Sequence, residues 1–143
     1  MYLIDTNIFL EVMLKREKSK ECKKLLKLLK DGKVKGIVTD FTIHSIIVIL
    51  DRFKKLEELK KFLLSIRAYK GLYVYNTSLG CEAKAVDIAR ETGLDMDDAI
   101  QYSAALSANV KAIISFDKDF DNLKISRKEP EEIIKAQNKH KPN

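Results

Sequence analysis

The sequence predicts one α/β domain over residues 1–136, built on a central, mostly parallel sheet of four to five strands, with a polar tail at 137–143. Three observations lead there. The chain has 143 residues, which suits one domain and is too short for two ordinary ones. Short apolar, β-rich runs alternate with segments of helical period, the pattern of βαβ units whose sheet is covered by helices on both faces. A composition of 45% hydrophobic and 34% charged residues belongs to neither a disordered chain nor a membrane-embedded one.

The elements follow in order. Tyr2, Leu3 and Ile4 make a short apolar first strand, and Asn7 is placed to cap a short helix over 8–14. Residues 18–30 put Cys22, Leu25, Leu26 and Leu29 at helical spacing with lysines on the remaining face, and Asp31-Gly32 ends that helix. GIVT at 36–39 is the second strand, followed by a mostly apolar helix over 41–53 and an amphipathic one over 56–66. LYVY at 72–75 is the third strand. Asn76, Thr77 and Ser78 then offer caps for a helix through Arg90, which Gly93 stops. Another helix spans 97–108, AIIS at 112–115 is the fourth strand, and 124–125 is a short fifth. The crossovers between parallel strands are expected to be right-handed.

Several classes of function are excluded. The longest apolar run, 46–50, falls far short of the roughly 20 residues a membrane span needs. No basic start followed by a long apolar stretch marks a signal peptide, so a cytoplasmic protein without a membrane partner is expected. Cys22 and Cys81 have no metal-site spacing and read as reduced thiols. No Gly-rich loop follows a strand, which leaves a dinucleotide or P-loop site unsupported. The only histidines are His44 and His140, the latter in the tail, and they form no Ser/His/Asp arrangement. A net charge of +6 favours a polyanionic partner, most often nucleic acid.

In a parallel sheet of this kind the reactive site lies beyond the carboxyl ends of the strands, where strand order reverses. Asp5 ends the first strand, Asp117 and Asp119 follow the fourth, and Asp97 and Asp98 open the helix before it. Gathered at one edge, like charges about 4 Å apart at an effective dielectric of about 20 repel by about 4 kcal/mol a pair. They either raise one another's pKa or bind a cation. Oxygen donors without His or Cys suit Mg²⁺ or Mn²⁺, and such an ion beside a basic surface suits phosphodiester hydrolysis. Simpler roles stay open: Asp95 or Asp97 as a helix cap, Asp98 as a complement to the helix dipole, Asp117 and Asp119 as turn residues in FDKDFDN.

Four motifs stand in order along the chain: Ile4-Asp5-Thr6-Asn7-Ile8-Phe9-Leu10, then Asp97-Asp98-Ala99-Ile100-Gln101-Tyr102, then Ile114-Ser115-Phe116-Asp117-Lys118-Asp119-Phe120, then Glu129-Pro130-Glu131-Glu132-Ile133-Ile134 as a closing turn. With them the chain resembles the PIN-domain ribonucleases, including the toxins of prokaryotic toxin–antitoxin pairs, over nearly its whole length. The resemblance implies a three-layer α/β/α sandwich and a metal-dependent endoribonuclease that cleaves single-stranded RNA. It also implies an antitoxin protein as partner. It carries catalysis and ligation of Mg²⁺ or Mn²⁺ onto Asp5, Asp98 and Asp117, with Asp119 as a further acid at the site. Thr6 becomes the hydroxyl that orients the first acid or its water.

The sequence departs from the family in one place. The family usually has a Glu early in the helix after strand two; here Ser45 stands there, beside His44, with Asp40 at the strand end. Ser45 can hold a water but adds no negative charge, and Asp40 reads as a helix cap. The departure leaves an alternative: a catalytically weak or inactive PIN-like module that binds RNA or a protein partner.

Outside the motifs, Lys15, Arg16, Lys18, Lys20, Lys23, Lys24, Lys27, Lys30, Lys33 and Lys35 either track phosphates or form a solvated helix face. Phe9, Phe41 and Tyr102 are the aromatic candidates for base stacking, with core packing as the plainer role for Phe9 and Phe41. The helices over 41–53 and 56–66 carry more apolar side chains than one sheet face needs. Either ordinary burial takes them up, or the surplus is covered by a second copy in a homodimer or by an inhibitory partner's helix.

Overall fold

The computed structural model describes residues 1–139. In chain order these form β1 (Tyr2–Ile4), α1 (Thr6–Met13), α2 (Ser19–Lys30), β2 (Gly36–Thr39), α3 (Asp40–Arg52), α4 (Leu56–Ile66) and β3 (Leu72–Tyr75). There follow α5 (Leu79–Thr92), α6 (Met96–Ser107), β4 (Ala112–Ile114), a 3₁₀ turn (Lys118–Phe120), β5 (Ser126–Lys128) and α7 (Pro130–Lys139). The five strands form one wholly parallel sheet in the order β3-β2-β1-β4-β5.

Alternation along these short strands sorts the core into two layers. Leu3 pairs in register with Ile37 and Ile113, and the three pack with Cys81, Ala85 and Ala99 under α5 and α6. Ile4, Val38, Leu72 and Ile114 point the other way, into the layer of α1, α2, α3, α4 and α7. The result is the expected three-layer α/β/α sandwich, with both faces of the sheet covered as parallel strands require. Cys22 and Cys81 are free and buried, one in each layer, and burial pushes the Cys22 thiol up to about 12. Among the described residues no helix is long and apolar enough to cross a membrane.

The structure corrects the sequence reading at three places. Asp5, not Asn7, caps the first helix: its backbone is still extended, and its carboxylate accepts from Thr6 N at 2.8 Å, so α1 starts two residues early. The fifth strand is Ser126–Lys128 rather than 124–125. As an edge strand of polar residues it carries no hydrophobic signal, and its place is set by pairing, Ile113 opposite Arg127. The chain end is a helix, not a turn. Pro130 opens α7, where a missing N–H costs nothing, and Glu132 Oε2 accepts from Glu129 N at 2.8 Å as in a capping box. Residues 137 to 139, read from the sequence as tail, continue α7; His140 and the rest of that tail lie outside the described residues.

Candidate metal centre at the strand-order switch

From β1 the chain builds outward through β2 and β3, then returns to the other side of β1 with β4 and β5. The carboxyl ends of β1 and β4 therefore flank the point where strand order reverses, the standard crevice of an open parallel sheet. Asp5 stands at the end of β1 and Ser115 at the end of β4; Asp5 N donates to Ile114 O at 3.1 Å. Helix α6 packs on β1 and β4 and brings Asp98 from its first turn.

Carboxylate oxygens of Asp98, Asp117 and Asp119 all lie within 4.8 Å of one another, the first two half-buried and the third exposed. Asp5 is 5% exposed and sits on the buried side of this group. Burial, and then the negative charges of Asp117, Asp5 and Asp119 beside it, raise Asp98 to about 7. Asp5 is itself pushed above the usual carboxylate range by burial. Hydrogen bonds from the Ser115 hydroxyl, Thr6 N and the Gln101 amide oppose that shift. The donor set is all carboxylate oxygen, crowded enough that one member takes up a proton. It therefore fits a hard divalent cation.

The remaining residues singled out in the sequence fall as follows. Thr6 orients Asp5 through its backbone N–H, whereas its hydroxyl pairs with that of Thr42 at 2.9 Å. Ser45 lines a cleft of about 190 Å³ with Asp5, Phe41, Asp98 and Gln101, and no acid from α3 joins it there. Asp40 is not the cap of α3; Thr39 is, accepting from Thr42 N at 3.0 Å. Asp40 instead accepts from Thr77 N at 3.1 Å and Thr77 Oγ1 at 2.9 Å, which ties it to the approach to α5. Asp95 occupies the N-cap of α6 without a side-chain cap bond, and Asp97 is exposed at the cleft rim. Asp117 serves the turn as well as the cluster, since its Oδ1 accepts from Asp119 N at 2.9 Å. Phe9 is buried edge-to-face on Phe62, and the buried Tyr102 hydroxyl accepts from Ile125 N. Of the three aromatics only Phe41 faces the cleft.

Two buried residues without an assigned role in the sequence complete the centre. Ser115 Oγ donates to Asp5 Oδ2 at 2.6 Å and accepts from Asp117 N at 2.9 Å. Gln101 accepts from Thr39 Oγ1 at 2.8 Å and donates to Thr42 Oγ1, so it links α6 to the start of α3 beside Asp5. Both had a signal: Ser115 is a hydroxyl directly after a buried strand at the switch, and Gln101 lies three residues past Asp98, on the same face of α6.

The PIN domain family model matches residues 2–125. The chain belongs to the PIN-domain family. Solved structures share the PIN fold. A toxin–antitoxin complex from Klebsiella pneumoniae matches at 18% identity and a TM-score of 0.71, over 91% of this chain and 98% of that one. VapC20 of Mycobacterium tuberculosis, described as a toxin that cleaves the sarcin-ricin loop, matches at 14% and 0.71, over 87% and 96%. VapBC2 of Rickettsia felis, bound to a DNA fragment from its promoter, matches at 16% and 0.68, over 90% and 97%. No curated protein sequence matches. In this PIN domain β5 and α7 lie beyond the segment that the family model covers.

Proposed function

We propose that this PIN domain is a Mg²⁺- or Mn²⁺-dependent endoribonuclease for single-stranded RNA, acting in the cytoplasm as the toxin of a toxin–antitoxin pair. The observation that carries the proposal is the convergence of Asp98, Asp117 and Asp119 within 4.8 Å, with Asp98 raised to about 7 by burial and by its neighbours. Asp98, Asp117 and Asp119 would hold the ion, with Asp5 behind them. A divalent ion there supplies positive charge to a phosphoryl oxygen and acidifies a bound water. The chain's own work is to place and charge the carboxylates. Ser115, Thr6 and Gln101 fix Asp5, and Asp98 gives up its proton when the site fills. Phe41 offers a face for a base at the cleft, and Ser45 a hydroxyl on its wall. The RNA substrate is supported by the basic balance of the chain and by the sarcin-ricin loop cleavage described for VapC20 of M. tuberculosis.

Two structural relatives, the Klebsiella pneumoniae toxin–antitoxin complex and VapBC2 of Rickettsia felis, support an antitoxin partner. Val48 on α3, Phe53 at its C-cap, and Leu56 and Leu64 on α4 stay exposed, which suits cover by that partner or by a second copy in a homodimer. The test is cleavage of single-stranded RNA with Mg²⁺ or Mn²⁺ by wild type, Asp5→Asn and Asp98→Asn, with single-stranded DNA in parallel. Loss of cleavage in both variants supports the proposal, equal rates overturn it, and preference for DNA changes the substrate.

One observation favours a second reading, a PIN module that binds RNA or a protein partner without efficient catalysis. The α3 wall of the cleft presents Ser45 and no carboxylate. Calorimetry with Mn²⁺ separates the two. Tight binding abolished by Asp98→Asn supports the nuclease, and no heat at high metal supports the binder.

A further inference from the structure

We infer that Arg127 on β5 is a positioning residue for the metal centre: its guanidinium holds both ends of the 115–121 loop so that Asp117 and Asp119 converge on Asp98. The inference rests on the nuclease reading above.

Arg127 is the middle residue of an edge strand, its side chain 12% exposed. Its Nη1 donates to Ser115 O at 3.0 Å and to Glu129 Oε2 at 2.9 Å. Its Nε donates to Asp121 Oδ1 at 2.8 Å, and Nη2 reaches Asp121 Oδ2 at 3.4 Å. Ser115 and Asp121 bracket the loop that carries Asp117 and Asp119.

At the first end, Ser115 is fully buried and fully engaged. Its N donates to Lys128 O at 3.0 Å, its hydroxyl joins Asp5 to Asp117 N, and its carbonyl faces Arg127. Without the guanidinium that buried carbonyl loses its partner, and the peptide that aims Asp117 N at Ser115 Oγ is free to turn. At the second end, Asp121 closes the 3₁₀ turn through its N–H to Lys118 O at 2.9 Å, and Arg127 clamps its carboxylate. The third arm, Glu129, ties the guanidinium to the start of α7.

Each ion pair is half-open to solvent and weak alone. The planar fork does what the pairs do not: it fixes three acceptors in one frame, which a lysine ammonium lacks the geometry to do. The design keeps the crowded carboxyl groups of Asp98, Asp117 and Asp119 together before any ion arrives. Nothing in the match to residues 2–125 assigns a role to position 127.

The test is Mn²⁺ titration calorimetry on wild type, Arg127→Gln, Arg127→Lys and Asp121→Asn, at a temperature where melting curves show each metal-free protein folded. Both Arg127 variants are expected to bind Mn²⁺ at least tenfold more weakly than wild type. Asp121→Asn, which frees only the Asp119 end, should lose about threefold. Wild-type affinity in Arg127→Gln overturns the inference, and so does rescue by Arg127→Lys, which would make charge the agent rather than the fork. If Arg127→Gln does not fold, Asp121→Asn decides, and unchanged affinity there overturns the inference. If wild type itself binds no Mn²⁺, the nuclease reading falls and takes this inference with it; if wild type binds and the variants bind equally, only the inference falls.

Discussion

Ser115 donates its hydroxyl proton to Asp5 across the switch point of the sheet, Oγ to Oδ2 at 2.6 Å, from 110 positions further along the chain. The same oxygen accepts from Asp117 N at 2.9 Å, so one buried hydroxyl joins the ends of β1 and β4. Ser115→Ala strips a donor from a buried carboxylate. The expected cost is about 1–3 kcal/mol of stability. The Ser115 bond is also the largest of the influences that hold the Asp5 pKa down, so that pKa rises further and Mn²⁺ binding should begin at higher pH than in wild type. Urea unfolding and Mn²⁺ affinity across a pH series check both points, with Ser115→Thr as the variant that keeps the hydroxyl. An unchanged pH midpoint in the alanine variant would show that Asp5 does not depend on this bond.

Asp98→Asn should stabilise the metal-free protein at alkaline pH and not at acid pH. Asp98 keeps its proton to about pH 7 in the fold, against an ordinary value of 3.8. Between those values the folded chain binds more protons than the unfolded one, so stability falls as pH rises through that window. The favourable contribution is complete below the ordinary value and gone once pH passes about 7. Asparagine mimics the neutral acid at every pH, so the two proteins should melt together near pH 3, and the variant should gain steadily through the window to melt a few degrees higher near pH 8. Melting curves in chelator check this, and Mn²⁺ should reverse the order by stabilising only wild type. A gap that does not widen with pH would place Asp98 outside the crowded cluster.

How much of this was legible in the sequence depended on which signal each element carries. The apolar strands β1 to β4 and the amphipathic α2 and α4 show their periods plainly, because burial selects those side chains. Strand β5 is SRK at a sheet edge, fixed by hydrogen bonds to β4, and no hydrophobic pattern records that. Among the acids, strand ends pointed to Asp5, Asp97, Asp98, Asp117 and Asp119, and the resemblance to PIN-domain ribonucleases singled out Asp5, Asp98 and Asp117. Asp5 nonetheless caps α1 and sits behind the group of three, a position set by its depth at the end of a buried strand. Asp40 shows the opposite case: an acid at a strand end that Thr77 claims. Ser115, Gln101 and Arg127 reach partners 12 to 110 positions away, which local spacing does not encode.

Gly71 and Gly93 should respond to alanine very differently. A Cβ on Gly71 would lie 2.1 Å from Val34 O and 2.9 Å from Leu29 O, both backbone atoms. The close approach is built into the sheet, since Gly71 N donates to Leu29 O and Gly36 N to Gly71 O, each at 2.8 Å. Gly71→Ala must therefore push the start of β3 off the end of α2 and the α2–β2 connection, at a cost of about 3 kcal/mol or more. Gly93 ends α5 at φ 79 with nothing within 4 Å of a Cβ, so Gly93→Ala should cost only the left-handed strain, about 1–2 kcal/mol. Denaturant midpoints rank the two, and a Gly71→Ala variant as stable as Gly93→Ala would contradict the close approach of Gly71 to the end of α2 and the α2–β2 connection.

The lysine stripe of α2 can be divided by the polarity of the sheet. Lys18, just ahead of α2, holds its ammonium 5.8 Å from the ring of Phe116, next to Asp117, so the stripe begins at the carboxyl edge where the acids gather. At the other end, Lys30 O accepts from Lys70 N just before β3, at the amino edge. A helix of 12 residues separates those ends by about 18 Å. A short single-stranded RNA seated at the acids should therefore reach Lys18 and not Lys30. Lys18→Ala should weaken binding uniformly across sequences and flatten the dependence of log K on log salt by about 0.7, the counterion release of one single-strand phosphate. Lys30→Ala should leave both unchanged. Fluorescence anisotropy over a salt series, in an Asp98→Asn background that removes cleavage, measures each slope. Equal slopes for the two variants would mean that the stripe is a solvated face, or that the RNA lies along all of it. A longer RNA then separates those cases, because only a strand that follows the helix gains salt dependence with length.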